Sequence, residues 1–241
     1  MINIVPYGDT ALLINFEQTI EPRVNREVVE LTHQLEEAHI PGVEFCTPAY
    51  CSVTVGFDPE LISFDLLKEL IFTLNKNKNI KTKSFNSNKK KWRIPVCYDP
   101  PFALDLQDLN KQLNISEKEI IRLHTATIYQ IYMLGFLPGF AYMGVLPDSL
   151  KCTRKENPRL KVPAQSVGLA GLQTGIYPMA APGGWQIIGR TPISIFNVQN
   201  DNPFLFSAGD FVQFFPIKEH EFEKIENAYK AGNYQLIIKD D

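Results

Sequence analysis

Arg190 closes a run of 28 residues, Val162 to Gly189, that carries no formal charge. A guanidinium beside so long a neutral stretch is expected to be shielded from water, where it needs a carboxylate or phosphate partner. That partner is either a bound anion or an acid of the chain itself, such as Asp210. Inside the run lie Gly168-Leu169-Ala170-Gly171-Leu172-Gln173-Thr174-Gly175 and Pro182-Gly183-Gly184-Trp185. Glycine reaches φ > 0 and lets backbone N–H groups approach a ligand closely. Gly168, Gly171, Gln173, Thr174, Gly183, Gly184 and Trp185 are therefore candidate substrate- or anion-binding positions. No Gly-Lys-Ser/Thr follows either glycine run, and neither spells a dinucleotide fingerprint. Taken alone, glycine turns in a compact barrel account for both runs better than a phosphate cradle does.

A second concentration of chemistry spans His124 to Tyr142. Polar-tipped rings (His124, Tyr129, Tyr132, Tyr142) surround Gly135-Phe136-Leu137-Pro138-Gly139-Phe140. Such side chains have an apolar body and a hydrogen-bonding tip, which suits them to wall a pocket. His124 and Tyr142 are candidate proton-moving groups. Tyr129, Tyr132, Phe136, Pro138, Phe140 and Tyr177 are candidate pocket-shaping residues. A satisfied core or cap role explains His124 just as well, and core packing is the better account of Phe136 and Phe140.

Several familiar signatures are missing: a Gly-x-Ser-x-Gly elbow, an HExxH pair, a paired-acid motif and a Walker lysine. Catalysis by this chain would then use a site shared across a subunit interface. Four histidines (33, 39, 124, 220) and four cysteines (46, 51, 97, 152) are scattered without ligand spacing, so no metal centre is expected and the thiols read as reduced.

The elements that must position these residues fall into two parts. The chain has 241 residues, 44% apolar and 21% charged, with a net charge of -3. That balance excludes disorder for the bulk of the chain and gives no reason to expect nucleic acid or a membrane surface as partner. Met1-Ile2-Asn3-Ile4-Val5-Pro6 lacks the basic and apolar regions of a signal peptide, so a cytoplasmic location is expected. Residues 125–147 are uncharged, yet Gly135, Pro138, Gly139, Gly144 and Pro147 interrupt them too often for a lipid-exposed helix. Buried strand and loop is the expectation there.

Residues 1–75 read as β-β-α-β-β-α, a two-layer α+β arrangement. Val24, Val28, Leu31, Leu35 and Ala38 form one helical face, which Pro41-Gly42 ends. Residues 76–91 hold seven lysines among Asn and Ser without an acid. No aromatic ladder accompanies them, so they read as a solvated linker and not as a nucleic-acid patch. From 92 to 241 a strand, Trp92–Tyr98, precedes two short helices, the second introduced by Ser116-Glu117-Lys118-Glu119 at capping-box spacing. Ten of the 14 glycines and eight of the 17 prolines then lie between 135 and 209, punctuating short strands as in a β-barrel or sandwich.

Four stretches carry a family resemblance: His124-x4-Tyr129-x2-Tyr132-Met133-Leu134-Gly135-Phe136-Leu137-Pro138-Gly139-Phe140-Ala141-Tyr142-Met143-Gly144; Pro158-Arg159 with Val162-Pro163-Ala164-Gln165-Ser166-Val167-Gly168-Leu169-Ala170-Gly171; Gln173-Thr174-Gly175-Ile176-Tyr177-Pro178; and Pro182-Gly183-Gly184-Trp185-x3-Gly189-Arg190-Thr191-Pro192. Together they resemble the KipI/PxpB family, also called allophanate hydrolase subunit 1 or carboxyltransferase domain, subdomains C and D. Gln165 stands where that pattern usually has glycine, and Ala181 where it usually has Ser or Thr.

The resemblance implies an α+β N-terminal domain followed by a mainly-β, cyclophilin-like barrel. It implies a PxpC/KipA-like partner subunit and a PxpA-like subunit. The three together form an ATP-dependent 5-oxoprolinase that opens the lactam of 5-oxo-L-proline to L-glutamate, with ATP at a shared site. Relatives also inhibit a sensor histidine kinase or form the carboxyltransferase part of a biotin-dependent urea carboxylase. In the enzyme reading Arg190 pairs the substrate carboxylate and His124 or Tyr142 moves protons. The amides of Gly183–Trp185 or Gly168–Gly171 would stabilise developing negative charge.

Overall fold

The computed structural model describes residues 2–76 and 89–236 and divides the chain into two units, Met1–Lys89 and Lys90–Asp241. In the first, β1 (Asn3–Pro6) and β2 (Ala11–Asn15) precede helix α1 (Pro22–Glu37). Strands β3 (Val43–Pro48) and β4 (Ser52–Phe57) then lead into α2 (Phe64–Lys76). The sheet is antiparallel in the order β1-β2-β4-β3. This is the expected β-β-α-β-β-α succession. Pro22 occupies the first turn of α1, where its missing N–H costs nothing. The helix buries Val24, Val28, Leu31 and Leu35 against Leu12, Ile14, Val53 and Val55 of the sheet.

Most of the expected lysine linker lies outside the described residues. At its flanks, Lys76 ends α2 and Lys91 already belongs to the next strand.

The second unit begins with β5 (Lys91–Cys97), followed by α3 (Leu106–Leu113) and α4 (Glu117–Ala126). Ser116 caps α4 by accepting from the Glu119 N–H at 3.2 Å. The reciprocal half of the box is absent: the Glu119 carboxylate is taken by Arg122 through two bonds of 2.7 and 2.6 Å. Strands β6 (Ile128–Leu134), β7 (Ala141–Gly144), β8 (Arg159–Val162), β9 (Ser166–Ala170), β10 (Gln173–Ile176), β11 (Ala181–Gly183), β12 (Gln186–Arg190) and β13 (Phe211–Ile217) come next, before α5 (Glu219–Lys230). Six of them and β5 close into a barrel in the order β10-β7-β6-β13-β5-β12-β9, with β13 and β5 parallel and no free edge. Strands β8 and β11 form a separate two-stranded ribbon.

The uncharged stretch 125–147 thus supplies β6, β7 and their connection. No helix among the described residues is long and apolar enough to cross a membrane. Ile94, Val96, Tyr129, Ile131, Met143, Val167, Leu169, Ile176, Val212 and Phe214 fill the barrel interior.

Candidate functional site

At one rim of the barrel, a cleft of about 270 Å³ opens between the β6–β7 connection, the loop before β8 and the turn from β11 to β12. Phe136, Phe140, Tyr142, Tyr177 and Trp185 wall it, with Arg154, Pro158, Pro182, Gly183 and Gly184. Phe140, 1% exposed, is the hub. Its ring lies 4.6 Å from that of Tyr142, 5.0 Å from Tyr177 and 5.4 Å from Trp185, the last two edge-on. Phe136, on the β6–β7 connection, stands 63% exposed at φ 66°, a backbone conformation that few bulky residues adopt.

Gly183 is needed for this packing, because a Cβ there would run into the Tyr177 hydroxyl and ring. The Trp185 N–H bonds to that same hydroxyl, and burial pushes the phenols of Tyr177 and Tyr142 above their ordinary range. Both hydroxyls therefore stay protonated near neutrality and can donate.

The loop that delivers Arg154 is held by a buried carboxylate. Asp105 stands at the N-cap of α3 but does not cap it. Its fully buried side chain accepts two bonds from Arg159 (2.7 and 2.6 Å), one from Lys155 Nζ (2.8 Å) and one from the Ile187 N–H (2.7 Å). Burial by itself would raise the pKa of this carboxyl. The bonds from Arg159, Lys155 and Ile187 outweigh burial and hold it below the usual value.

Of the residues singled out in the sequence, the cleft assembles Tyr142, Gly183, Gly184, Trp185, Phe136, Phe140 and Tyr177. It does not assemble His124, Arg190, Gly168, Gly171, Gln173, Thr174, Tyr129, Tyr132 or Pro138. His124 is fully buried inside the barrel, its ring stacked 4.6 Å from Phe214. The Thr174 hydroxyl donates to Gly168 C=O, so Thr174 Oγ1 accepts from His124 Nε2–H at 3.0 Å and Nδ1 accepts from the Tyr98 hydroxyl at 2.8 Å. Burial drives the imidazole pKa down to about 3, which keeps it neutral. Tyr129 bonds to His124 C=O in the same interior.

Arg190 donates Nε–H to Ala164 C=O at 2.9 Å, and its guanidinium lies 5.7 Å from the Phe222 ring centre. Its expected acid, Asp210, is occupied instead by Trp92 Nε1–H and the N–H groups of Lys90 and Ser207. Gly168 is paired on both sides within β9, and the Gly171 N–H is bonded to Cys152 C=O at 2.7 Å. Among the described residues no three His, Cys, Asp or Glu side chains converge as a metal site.

Arg154 and Asp105 were not read from the sequence. The signal for Arg154 was there: Lys151, Arg154, Lys155, Arg159 and Lys161 face a single acid, Glu156, just before the neutral run.

Residues 2–206 match the family described as carboxyltransferase domain, subdomain C and D. The chain is also 39% identical over 233 residues to a 5-oxoprolinase subunit of Bacillus subtilis, covering 92% of this chain and 94% of that one. It belongs to this carboxyltransferase C and D family. Among solved structures, TTHA0988 matches with a TM-score of 0.76 at 30% identity over 90% of this chain. The chain spans only 40% of that longer protein's length. The Kluyveromyces lactis urea amidolyase matches over all of this chain with a TM-score of 0.80, but over only 16% of its own length. At 20% identity that likeness shows a shared fold and no more.

Proposed function

We propose that this chain is the PxpB-type subunit of a 5-oxoprolinase. Together with PxpA-like and PxpC-like partners it would open the lactam of 5-oxo-L-proline to L-glutamate at the expense of ATP. The observation that carries the reading is the aromatic cleft, whose 270 Å³ is below the range for drug-sized ligands and suits a single small ring. The Bacillus subtilis relative, named as a subunit of 5-oxoprolinase, supports it.

In this reading the flat lactam packs among Phe140, Tyr142, Tyr177 and Trp185. The protonated Tyr142 and Tyr177 hydroxyls donate to the lactam oxygen as charge develops there. Several of the amides singled out in the glycine runs are already engaged within this chain. The Gly171 and Trp185 N–H groups are already bonded, and Gly168 is locked in a strand. In this reading ATP binds at a site shared with the partner subunit.

Co-expression with the PxpA-like and PxpC-like neighbours and an assay of ADP and glutamate release tests the reading. Coupled release that disappears when this chain is omitted is the expected result. An assembled complex without turnover overturns it.

A further inference from the structure

Arg154 and Lys155 lie on the loop before β8 and Arg159 opens that strand, and the buried carboxylate of Asp105 holds the last two. Asp105 takes Lys155 once and Arg159 twice, and the Ile187 N–H occupies the remaining position on its carboxylate. It has nothing left for Arg154, which makes no salt bridge among the described residues and is the only charged residue lining the cleft. We propose that Arg154 is the carboxylate anchor of the cleft and that Asp105 is the residue that positions it. The ligand class is then a small flat ring bearing a carboxylate. This rests on the subunit reading above and deepens it.

The backbone on both sides of Arg154 is fixed. Cys152 pairs with Gly171 through bonds of 2.7 and 3.3 Å, and Thr153 C=O accepts from Gln186 Nε2 at 3.1 Å. The Lys155 N–H donates to Gly184 C=O at 2.7 Å. With the flanking backbone tied down, the freedom lost on binding is confined to the Arg154 side chain. Its planar fork matches a carboxylate bidentately. Arg154 lines the same cleft as Tyr142 and Tyr177. Arg190, the cation expected in this role from the sequence, donates Nε–H to Ala164 C=O, lies beside the Phe222 ring and does not line the cleft.

Isothermal titration of the full chain with 5-oxoproline and with 2-pyrrolidinone, its carboxylate-free counterpart, tests the assignment. The wild type should prefer 5-oxoproline by about tenfold or more, as a charge-assisted bidentate pair implies. Arg154→Gln should erase that preference while keeping the affinity for 2-pyrrolidinone, which reports an intact aromatic cleft. Arg154→Lys should restore part of it, because the charge returns without the fork. Asp105→Asn should lower the preference, leave 2-pyrrolidinone unchanged and speed hydrogen exchange at the Lys155 amide.

Loss of both ligands or of neither in Arg154→Gln overturns the anchor. Unchanged preference and exchange in Asp105→Asn overturns the positioning role. A wild type that does not discriminate also refutes the proposal. The subunit reading is judged separately, by coupled turnover of the assembled complex.

Discussion

His124 and Thr174, fifty residues apart in sequence, meet inside the closed barrel with Nε2 3.0 Å from Oγ1. The contact is one link in a chain of donors and acceptors running from the Tyr98 hydroxyl through the imidazole and the Thr174 hydroxyl to Gly168 C=O. The ring uses both nitrogens and carries no charge, so it binds α4 to β10 and to Tyr98, the residue that follows β5, from within.

That neutrality makes the barrel sensitive to acid. The folded imidazole protonates at about 3 against an ordinary 6.5, so between those values only the unfolded chain takes up the proton. Stability is complete above pH 6.5 and falls as pH drops towards 3, by up to about 1.4 kcal/mol per pH unit for this one group. Urea midpoints measured from pH 7 to pH 4 should show the slope, and His124→Gln should flatten it by one proton. An unchanged slope in the variant would place the acid sensitivity elsewhere.

Thr174→Val keeps the shape of the side chain but leaves the Nε2–H of His124 facing a methyl group. An unsatisfied buried donor costs about 1–3 kcal/mol. Thr174→Ser keeps the hydroxyl and should cost about 1 kcal/mol for the lost methyl. Denaturant titration of the two variants separates the hydrogen bond from the packing.

Gly183→Ala drives a Cβ into the Tyr177 hydroxyl, and Tyr177 is buried too deeply to swing aside. Overpacking of this kind costs about 1–3 kcal/mol. Because the displaced ring is a wall of the cleft, affinity for 2-pyrrolidinone should fall along with the melting temperature. A stable variant that still binds would show that the cleft tolerates the methyl.

Gln165 occupies φ 60°, which accounts for the glycine usual at this place in the motif. Its N–H and C=O bond to Tyr177 C=O and the Thr191 N–H, so the position serves the backbone, and it is not among the residues lining the cleft. Gln165→Gly should leave Tm unchanged or raised, since relief of about 1–2 kcal/mol of left-handed strain opposes a backbone entropy loss of about 0.4–1 kcal/mol. Gln165→Val, β-branched at positive φ, should lower Tm by several degrees. Thermal melts of both variants check this, and equal melting of the two would refute the strain account.

The succession of elements was legible because it rests on short-range physics. The face of α1 follows from apolar residues three and four apart, and the short barrel strands follow from glycine and proline punctuation. The rings from Phe136 to Tyr142 could likewise be singled out from composition alone. Only the tertiary structure decided which of them meet. In β6 a register shift between Ile131 and Met133 disturbs simple alternation, and Tyr129 and Tyr132 are buried on the strand while Phe140 and Tyr142 reach the cleft. Arg190 lies four residues along β12 from Gln186, about 13 Å from the strand end beside the cleft, so its neutral neighbours did not reveal where it points. Arg154 and Asp105 acquire their roles only when barrel closure brings a loop to a residue some fifty positions away. Local propensity acts over a few residues, whereas strand register and barrel closure set which distant side chains share a cavity.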